Sequence, residues 1–289
     1  AGDLYLPNTT DAFPTILIMT PYGKVFYELN GLPLGIGDNI SESDYAILIV
    51  DWRCRFASLS ACAQGADNGE DGYDVVEWAA AQTWSNGKIG MWGPSALGNI
   101  QFQTASKKPP HLVCSVPEVA GPHFAYPKYF PGGALVTERL ETLTLLFPGS
   151  FDLVIGNPHT NLLWTIAENS SMYPEDIEVP MLLIGGWYDI NLDQTIYLSD
   201  TLAKNSPIAS QHKTLIGPWV HGGTGQAVVG STNQGELSYP EAKNWNTNFA
   251  LQFFDYHLRG IDNGWSEKPS RASETRPTPF RTSTAICTR

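Results

Sequence analysis

The sequence lacks long hydrophobic runs, and no stretch approaches the ~18 consecutive apolar residues that a membrane-spanning helix needs. It has no lysine- or arginine-rich stripe in its first 260 residues, and its net charge is −12. Proteins that bind nucleic acid usually carry a basic patch, because the phosphate backbone is negatively charged. We therefore expect a soluble protein with neither a membrane nor a nucleic acid as a partner.

Metal-binding patterns are missing as well. The cysteines at positions 54, 62, 114 and 287 do not form the close pairs that ligate zinc. Cys114 lies in an apolar run and is expected to be buried. Cys54 and Cys62 can form a disulfide if oxidised, which the sequence leaves open. The acidic stretch 67–74 lacks calcium-loop spacing, and acids favour helix N-termini, so a helix start is preferred there and no metal or cofactor is predicted.

No signal peptide is visible, and the chain begins with Ala1 rather than methionine, so we expect an incomplete N-terminus. The compartment therefore does not follow from the sequence. Of the 289 residues, 42% are hydrophobic and 11% aromatic, which predicts a globular protein with a substantial core. A homo-oligomer is compatible with this composition.

Short apolar runs alternate with segments of helical character. The predicted strands are Thr15–Thr20, Tyr45–Asp51, Ile89–Trp92, Leu112–Val116, Pro180–Gly185 and Lys213–Gly217. Nearly continuous hydrophobicity is typical of parallel strands that are buried on both faces. The alternation predicts an α/β fold, with a mostly parallel sheet covered by helices.

The pattern divides the chain into four parts. Residues 1–120 and 179–262 form the two halves of the predicted α/β core. Residues 121–178 give no strand signal but contain many aromatics and prolines and then helical spacing, which predicts an inserted helical cap. Residues 263–289 hold four arginines against one glutamate from position 270 onward, without apolar periodicity, so we expect a disordered or aberrant tail.

A strand-turn-helix pattern surrounds Ser95. An apolar run leads into Gly93-Pro94-Ser95-Ala96-Leu97-Gly98, and a helix-compatible sequence follows. An α/β-hydrolase presents its nucleophile at such a turn, where small neighbours are needed because the backbone is strained. In the common Gly-x-Ser-x-Gly pattern the second glycine comes one residue earlier. Glycine-rich turns also serve packing, so the motif alone leaves both interpretations open.

Two further residues complete a candidate catalytic triad. Asp189 and His221 each follow a predicted strand, and they come after Ser95 in the chain order that α/β-hydrolases use. A serine hydroxyl needs a base that takes its proton, and the base needs a carboxylate that orients it. Asp193 is a rival acid, but it is better placed to cap the helix that follows.

The remaining histidines are less well placed for this role. They are His111, His123, His159, His212 and His257. We expect His111 and His212 to be exposed to solvent, because one follows a turn and the other precedes a strand. His257 lies on the last predicted helix, where packing is the simpler role. His123 and His159 fall in the predicted cap, and His123 is a candidate for substrate contact.

Acyl transfer also needs hydrogen-bond donors for the developing oxyanion. One is expected from the backbone N–H of Ala96, the residue after the nucleophile. The second usually comes from the loop after an earlier strand, which here reads Pro21-Tyr22-Gly23. The hydroxyl of Tyr22 is a candidate donor, and a packing role for its ring fits the spacing equally well.

Longer motifs connect these residues to a known family. The matching segments are 20–24, 51–53 with 56–58, 71–78, 82–84, 87–98, 129–135, 185–189, 217–221 and 253–260. Over about residues 4–268 the sequence resembles the X-Pro dipeptidyl-peptidase and cocaine esterase group of serine hydrolases, the CocE/NonD type. The resemblance implies an α/β-hydrolase fold in which Ser95 is the nucleophile, His221 the base and Asp189 its partner. It also implies that the Tyr22 hydroxyl and the Ala96 N–H form the oxyanion hole, and it places the second glycine three residues after the serine.

Three features depart from the family pattern. Cys54 stands where the family normally has glycine, so the loop is strained if this position needs a positive φ. Ala96 replaces a residue that is often aromatic. The family's carboxyl-terminal β-sandwich is replaced by the tail 263–289, and the first strands look shortened, which puts the stability of the chain in question.

The resemblance implies that esters or amides are cleaved through an acyl-enzyme, with a small-molecule ester, amide or short peptide as substrate. The candidate pocket residues are Trp187, Tyr188 and Trp219 beside the acid and base, and Phe124 and Phe130 in the cap. All five are also compatible with core packing. Ester hydrolysis is narrowly preferred over an Xaa-Pro dipeptidyl-peptidase, which needs an anion for the substrate amine. An inactive truncated remnant is the alternative of another class.

Overall fold

The computed structural model describes residues 1–34, 43–62, 65, 67–122, 124–146, 149–222 and 229–273. The strands are β1 (Gly2–Tyr5), β2 (Phe13–Thr20), β3 (Ala46–Asp51), β4 (Ser85–Pro94), β5 (Leu112–Glu118), β6 (Leu182–Tyr188), β7 (Lys213–Val220), β8 (Asn233–Gln234), β9 (Leu237–Ser238) and β10 (Arg271–Ser273). The helices are α1 (Val25–Asn30), α2 (Asn68–Ala80), α3 (Ala96–Ser106), α4 (Tyr126–Tyr129), α5 (Thr137–Leu146), α6 (Ser150–Ile155), α7 (Leu162–Ser170), α8 (Leu192–Asn205) and α9 (Trp245–Phe254), which continues into a π-helical turn at 255–259.

One mixed sheet organises the described part of the chain. Its strand order is β1-β3-β2-β4-β5-β6-β7-β10, and β8 and β9 form a separate hairpin. β1 pairs with β3 in the antiparallel sense, and every other pairing in the large sheet is parallel. The carboxyl ends of the parallel strands therefore share one edge of the sheet, where the loops after β2, β4, β6 and β7 meet.

Side chains of each central strand alternate between two cores. In β2, Ile16 and Ile18 pack on the face that α9 covers with Phe253. The intervening Leu17 and Met19 pack on the opposite face, with residues of α2, α3 and α8. This alternation is the period of two that a β-strand imposes, and both faces are buried, which explains the continuous apolar run. The predicted helix-covered parallel sheet is confirmed.

Helices α4 to α7 are inserted between β5 and β6, where a helical cap was predicted. They have a small core of their own, formed by Tyr129, Phe130, Leu140, Val154 and Trp164. The second half of the insertion consists of two short helices, α6 and α7. α6 ends at Ile155, just before Gly156, and Asn161 caps α7 by accepting the N–H groups of residues 163 and 164. The cap role of this insertion stays a prediction.

Residues 263–273 form part of the fold, so the expectation of disorder is wrong for them, and the alternative of an aberrant tail stays a prediction. Trp265 is buried, and its ring centroid lies 5.2 Å from that of Phe253. Residues Arg271–Ser273 form β10, which extends the sheet in parallel beside β7. A single tryptophan and a three-residue strand give no periodic signal, so composition alone misclassified this segment. Residues 274–289 lie outside the described part.

Cys54 and Cys62 form a disulfide, the pairing that the sequence left open, and Cys114 is buried as expected. Cys54 has a φ of 65°, so this position does have the positive φ that favours glycine. Among the helices of the described residues, none combines the length and the apolar character needed to span a bilayer.

Candidate active site

Ser95 lies at the sharp turn between β4 and α3. Its φ of 54° and ψ of −120° are uncommon for a residue that carries a Cβ atom. The Ser95 N–H donates to the Glu118 carbonyl at the end of β5, over 2.9 Å, and the Ser95 carbonyl accepts the N–H groups of Gly98 and Asn99 at the same distance. These bonds hold the strained turn, and the side chain of Ser95 is left free for other contacts.

Close packing explains the glycines on both sides of the serine. A Cβ atom on Gly93 would lie 2.5 Å from Cβ of Leu97, and the φ of Gly93 is 152°. A Cβ atom on Gly98 would lie 2.5 Å from Cβ of Ala120. Leu97 itself is buried in the core, so the position two residues after the serine accepts a large side chain.

Ser95, His221 and Asp189 form a continuous chain of hydrogen bonds. His221 Nε2 lies 2.9 Å from Ser95 Oγ, and His221 Nδ1 lies 2.7 Å from Asp189 Oδ1. Asp189 follows β6 and His221 follows β7, and these strands are neighbours in the sheet. The Asp189 side chain has no exposed surface, whereas that of His221 is 17% exposed and can be reached from solvent.

The rival acid Asp193 lies elsewhere. It is in the first turn of α8, its side chain is 53% exposed, and it lies 3.9 Å from Arg139 of the inserted helices. Asp189 is therefore the carboxylate that contacts His221. Groups of three or more side chains that could ligate a metal ion do not occur among the described residues.

The other histidines have separate environments. His111 is exposed, and its Nδ1 lies 2.7 Å from a Glu77 carboxylate oxygen. The prediction that His212 is exposed is wrong: it is buried, its Nε2 lies 2.8 Å from Ser206 Oγ, and burial lowers its pKa to about 4. The loop between α8 and β7 folds over this ring, which the local sequence does not reveal. His257 packs against Phe253.

The two histidines of the predicted cap segment are not placed in contact with the triad by the structure described. His159 is exposed and lies between α6 and α7. His123, the candidate for substrate contact, lies outside the described residues.

Tyr22 follows β2 and extends toward the serine. The Ser95 hydroxyl and the Ala96 backbone N–H lie close enough to its phenol oxygen to act on its ionisation as hydrogen-bond partners. Burial of this group raises the pKa of Tyr22, and the two hydrogen bonds oppose that rise, so the hydroxyl keeps its proton at neutral pH. The two predicted oxyanion donors, the Tyr22 hydroxyl and the Ala96 N–H, thus both lie next to the Ser95 side chain or backbone, and their role as donors stays a prediction.

The five candidate pocket residues separate into two groups. Trp187 and Tyr188 are exposed immediately before Asp189, and the Tyr188 hydroxyl lies 2.5 Å from that of Tyr239. Trp219 has no exposed surface and belongs to the main core, so a pocket role for it is not supported. The same holds for Phe130, which is buried and stacks on a neighbouring tyrosine in the inserted helices. Phe124 is half-buried and stacks on Trp164 in the same cluster.

Sequence reasoning missed Glu118, a residue with a buried carboxyl at the end of β5, whose backbone carbonyl accepts the Ser95 N–H. Its Oε1 accepts hydrogen bonds from Trp92 Nε1 at 3.2 Å and from Asn246 Nδ2 at 3.4 Å. Burial raises the pKa of Glu118 to about 7, while these hydrogen bonds lower it. A glutamate that ends a mostly apolar strand, as in Leu112–Glu118, is the signal that points to such a group.

Comparison with known proteins now places the chain. A model of the X-Pro dipeptidyl-peptidase (S15) family matches residues 1–149 and 148–223, which is more than half of the sequence. The chain belongs to this family. The predicted family resemblance is therefore confirmed, and the segments that carry Ser95, Asp189 and His221 all lie within the matched region.

Individual relatives agree with this placement. The chain is 24% identical to the cocaine esterase of Rhodococcus sp. (strain MB1 Bresler) over 311 residues, which cover 90% of this chain and 53% of that protein. It thus spans about half the length of the curated relative it matches. A solved CocE/NonD family hydrolase from Staphylococcus aureus aligns with a TM-score of 0.70 at 22% identity, covering 95% of this chain and 50% of that one.

A second solved structure, an α-amino acid ester hydrolase, aligns with a TM-score of 0.69 at 17% identity, covering 94% of this chain and 54% of that one. At these identities the likeness concerns the fold. The fold is the α/β-hydrolase fold of the CocE/NonD type, as the sequence predicted.

Proposed function

We propose that the chain is a serine hydrolase that cleaves carboxylic ester or amide bonds through an acyl-enzyme. The observation that carries this proposal is the hydrogen-bond chain from Ser95 through His221 to Asp189, with contacts of 2.9 and 2.7 Å. A nucleophile bonded to a base that is oriented by a third group is the arrangement that activates a serine hydroxyl.

The geometry supports a two-stage reaction. Ser95 Oγ attacks the substrate carbonyl carbon while its proton moves to His221 Nε2, and Asp189 stabilises the imidazolium that forms. His221 then gives this proton to the departing alcohol or amine, which leaves the acyl group on Ser95. Water repeats the sequence, with His221 as base, and the acid product is released with Ser95 regenerated.

Two groups are available as donors to the oxyanion. During attack the carbonyl oxygen becomes negatively charged, and the Ala96 N–H lies at the start of α3, where backbone N–H groups have no partner within the helix. The Tyr22 hydroxyl is the second donor. We propose that it releases its contact with the Ala96 N–H when substrate binds, so that both point at the developing charge.

Carboxylic esters are the substrate class we favour. The curated relative is a cocaine esterase, and one solved neighbour is an ester hydrolase. The exposed rings of Trp187 and Tyr188 offer an apolar surface next to the acid for an acyl or alcohol group. The description of the matching family favours the second candidate, an Xaa-Pro dipeptidyl-peptidase. The hydrogen-bonded side chains of Ser95, His221 and Asp189 favour a hydrolase of either kind over an inactive remnant.

Labelling with a fluorophosphonate tests the mechanism, because this reagent reacts covalently with an activated serine. We expect one adduct, located at Ser95 by mass spectrometry, that is absent in Ser95→Ala and much slower to form in His221→Ala. His111→Ala is the matched control, since it removes an exposed histidine that is bonded to Glu77. Absence of labelling in a cooperatively folded sample would overturn the proposed mechanism.

Substrate class is tested on the same sample. We expect hydrolysis of p-nitrophenyl esters with short acyl chains, and slower hydrolysis of an Xaa-Pro p-nitroanilide. The reverse order of kcat/KM would favour the peptidase. Loss of both activities in Ser95→Ala would assign them to one site.

A further inference from the structure

We propose that the Cys54–Cys62 disulfide positions Tyr22, so that its reduction slows acyl transfer while the protein stays folded. Two segments carry the inference: the disulfide loop, residues 54–62, and the tyrosine loop, residues 21–24. The inference rests on the proposed function, since it assigns a support to one of the two oxyanion donors.

Asp51 joins the two loops. This residue ends β3 and is buried, and its Oδ1 accepts the N–H of Lys24 at 2.7 Å. Its Oδ2 accepts the N–H of Ala57 at 3.1 Å. One carboxylate thus holds the tyrosine loop, two residues after Tyr22, and the disulfide loop at the same time. If Ala57 moves, the Asp51 carboxylate loses one of its two hydrogen bonds and can shift, and the Lys24 backbone that it holds can shift with it.

A direct contact supplements this bridge. Gly23 has a φ of 96°, and a Cβ atom built on it would lie 3.3 Å from the Phe56 ring. The Phe56 side chain, which belongs to the disulfide loop, therefore packs on the backbone of Gly23, next to Tyr22. Phe56 is nonetheless 57% exposed, so its position depends on the loop backbone more than on surrounding core.

The disulfide loop is conformationally demanding. Cys54 and Phe56 have φ values of 65° and 41°, a region that side chains with a Cβ atom rarely adopt. The turn at 56–61 is a short 3₁₀ helix. A covalent link between positions 54 and 62 removes the extended conformations that would relieve these dihedral angles. Without the link we expect the loop to relax and the Phe56 and Ala57 contacts to loosen.

Other contacts keep the surrounding fold intact. Arg53 Nε donates to both carboxylate oxygens of Asp71, at 2.9 and 2.8 Å. Both residues lie outside the disulfide loop, and so do the strands and helices of the two cores. Loss of the disulfide should therefore affect the local loop and leave the sheet and its cores in place.

The bond is accessible to a dithiol reductant such as dithiothreitol. Cys62 is exposed, whereas Cys114 is fully buried and burial raises the pKa of its thiol. One reductant thiolate attacks a sulfur of the pair and gives a mixed disulfide, and the second displaces it. The products are two protein thiols and the cyclic disulfide of the reductant, so two electrons pass to the protein.

The test compares the oxidised and reduced protein in a Cys287→Ser background, which removes the cysteine outside the described residues. Thiol titration confirms reduction, and circular dichroism follows unfolding. We expect kcat for ester hydrolysis to fall about tenfold, with KM little changed and unfolding still cooperative, because small misplacements of a catalytic group are costly. Cys54→Ser/Cys62→Ser should have the same low kcat with or without reductant.

Tyr22→Phe separates this inference from a general loosening. If the disulfide acts through the Tyr22 hydroxyl, reduction causes no further loss in that variant. An unchanged kcat after complete reduction, or an equal loss in Tyr22→Phe, would overturn the inference. Hydrogen exchange gives a readout that needs no activity: the Lys24 and Ala57 amides should exchange faster after reduction. If Ser95 does not react with the fluorophosphonate, the proposed function is wrong. If the Lys24 and Ala57 amides exchange at the same rate before and after reduction, the link between the disulfide and the tyrosine loop is wrong, whatever the activity.

Discussion

Ala120 prevents any side chain at Gly98. A Cβ atom on residue 98 would lie 2.5 Å from Cβ of Ala120 and 3.0 Å from the carbonyl oxygen of Gly93. The first turn of α3 crosses the chain just after β5 at this point, and the same turn orients Ser95. The glycine three residues after the nucleophile is thus required by helix–strand packing, which explains the departure from the Gly-x-Ser-x-Gly pattern.

Gly98→Ala should therefore destabilise the protein and disturb the nucleophile. We expect the free energy of unfolding to fall by about 1–3 kcal/mol, the usual cost of an overpacked core, as measured by urea denaturation. Fluorophosphonate labelling of Ser95 should slow as well, because α3 must shift. The double variant Gly98→Ala/Ala120→Gly removes the closest clash and should recover part of both losses. No recovery would show that Ala120 is not the obstacle.

Asp189 and Asp193 form a matched pair for testing the acid. Asp189→Asn keeps the size of the side chain but favours the wrong tautomer of His221, so we expect kcat to fall by about 10⁴. Asp193→Asn removes an exposed carboxylate near Arg139. We expect kcat to change by less than about twofold, because exposed ion pairs contribute little energy. Steady-state kinetics on one ester decides between them, and similar losses in both variants would contradict the assignment of Asp189.

Tyr22→Phe tests the side-chain donor of the oxyanion hole. The substitution removes one hydroxyl and keeps the ring that packs beside the turn. We expect kcat to fall by about 10²–10³, because that is the usual effect of deleting one oxyanion donor, with a much smaller change in KM. A loss seen only in KM would instead assign Tyr22 to substrate binding.

The catalytic constellation was predictable because it depends on chain order and strand ends. Ser95, Asp189 and His221 each follow an apolar run, and parallel strands bring their carboxyl ends to one edge of the sheet. The structure places all three in hydrogen-bond contact. Their catalytic roles remain part of the proposal.

Features that depend on long-range packing were not predictable. Trp219 follows the predicted strand Lys213–Gly217, but β7 extends to Val220, so Trp219 lies within the strand and its ring enters the core. The local pattern reveals neither the true end of the strand nor the face of the sheet on which such a residue lies. His212 is covered by a loop that contacts it through Ser206. Trp265 is buried by contacts with α9, although its own segment has the composition of a tail.

Glu118 makes the stability of the protein depend on pH. Burial raises its pKa from 4.5 to about 7 in the folded protein, so the folded state binds more protons than the unfolded state between these values. The free energy of unfolding should therefore fall as the pH rises through this window, by an amount on the order of 3 kcal/mol at most. Well below pH 4.5 the carboxyl is protonated in both states and the penalty is absent.

Glu118→Gln should remove this dependence, because the amide oxygen can still accept from Trp92 and Asn246 but carries no charge. His212 and His257, whose pKa values burial lowers to about 4, act in the opposite direction between about pH 4 and 6.5.

The informative quantity is hence the difference in unfolding free energy between variant and wild type, from urea denaturation at pH 4.5 to 7.5. We expect this difference to increase with pH in favour of Glu118→Gln. It should stay constant for Glu236→Gln, which alters an exposed glutamate between β8 and β9, and an equally constant difference for Glu118→Gln would contradict a buried, titrating carboxyl.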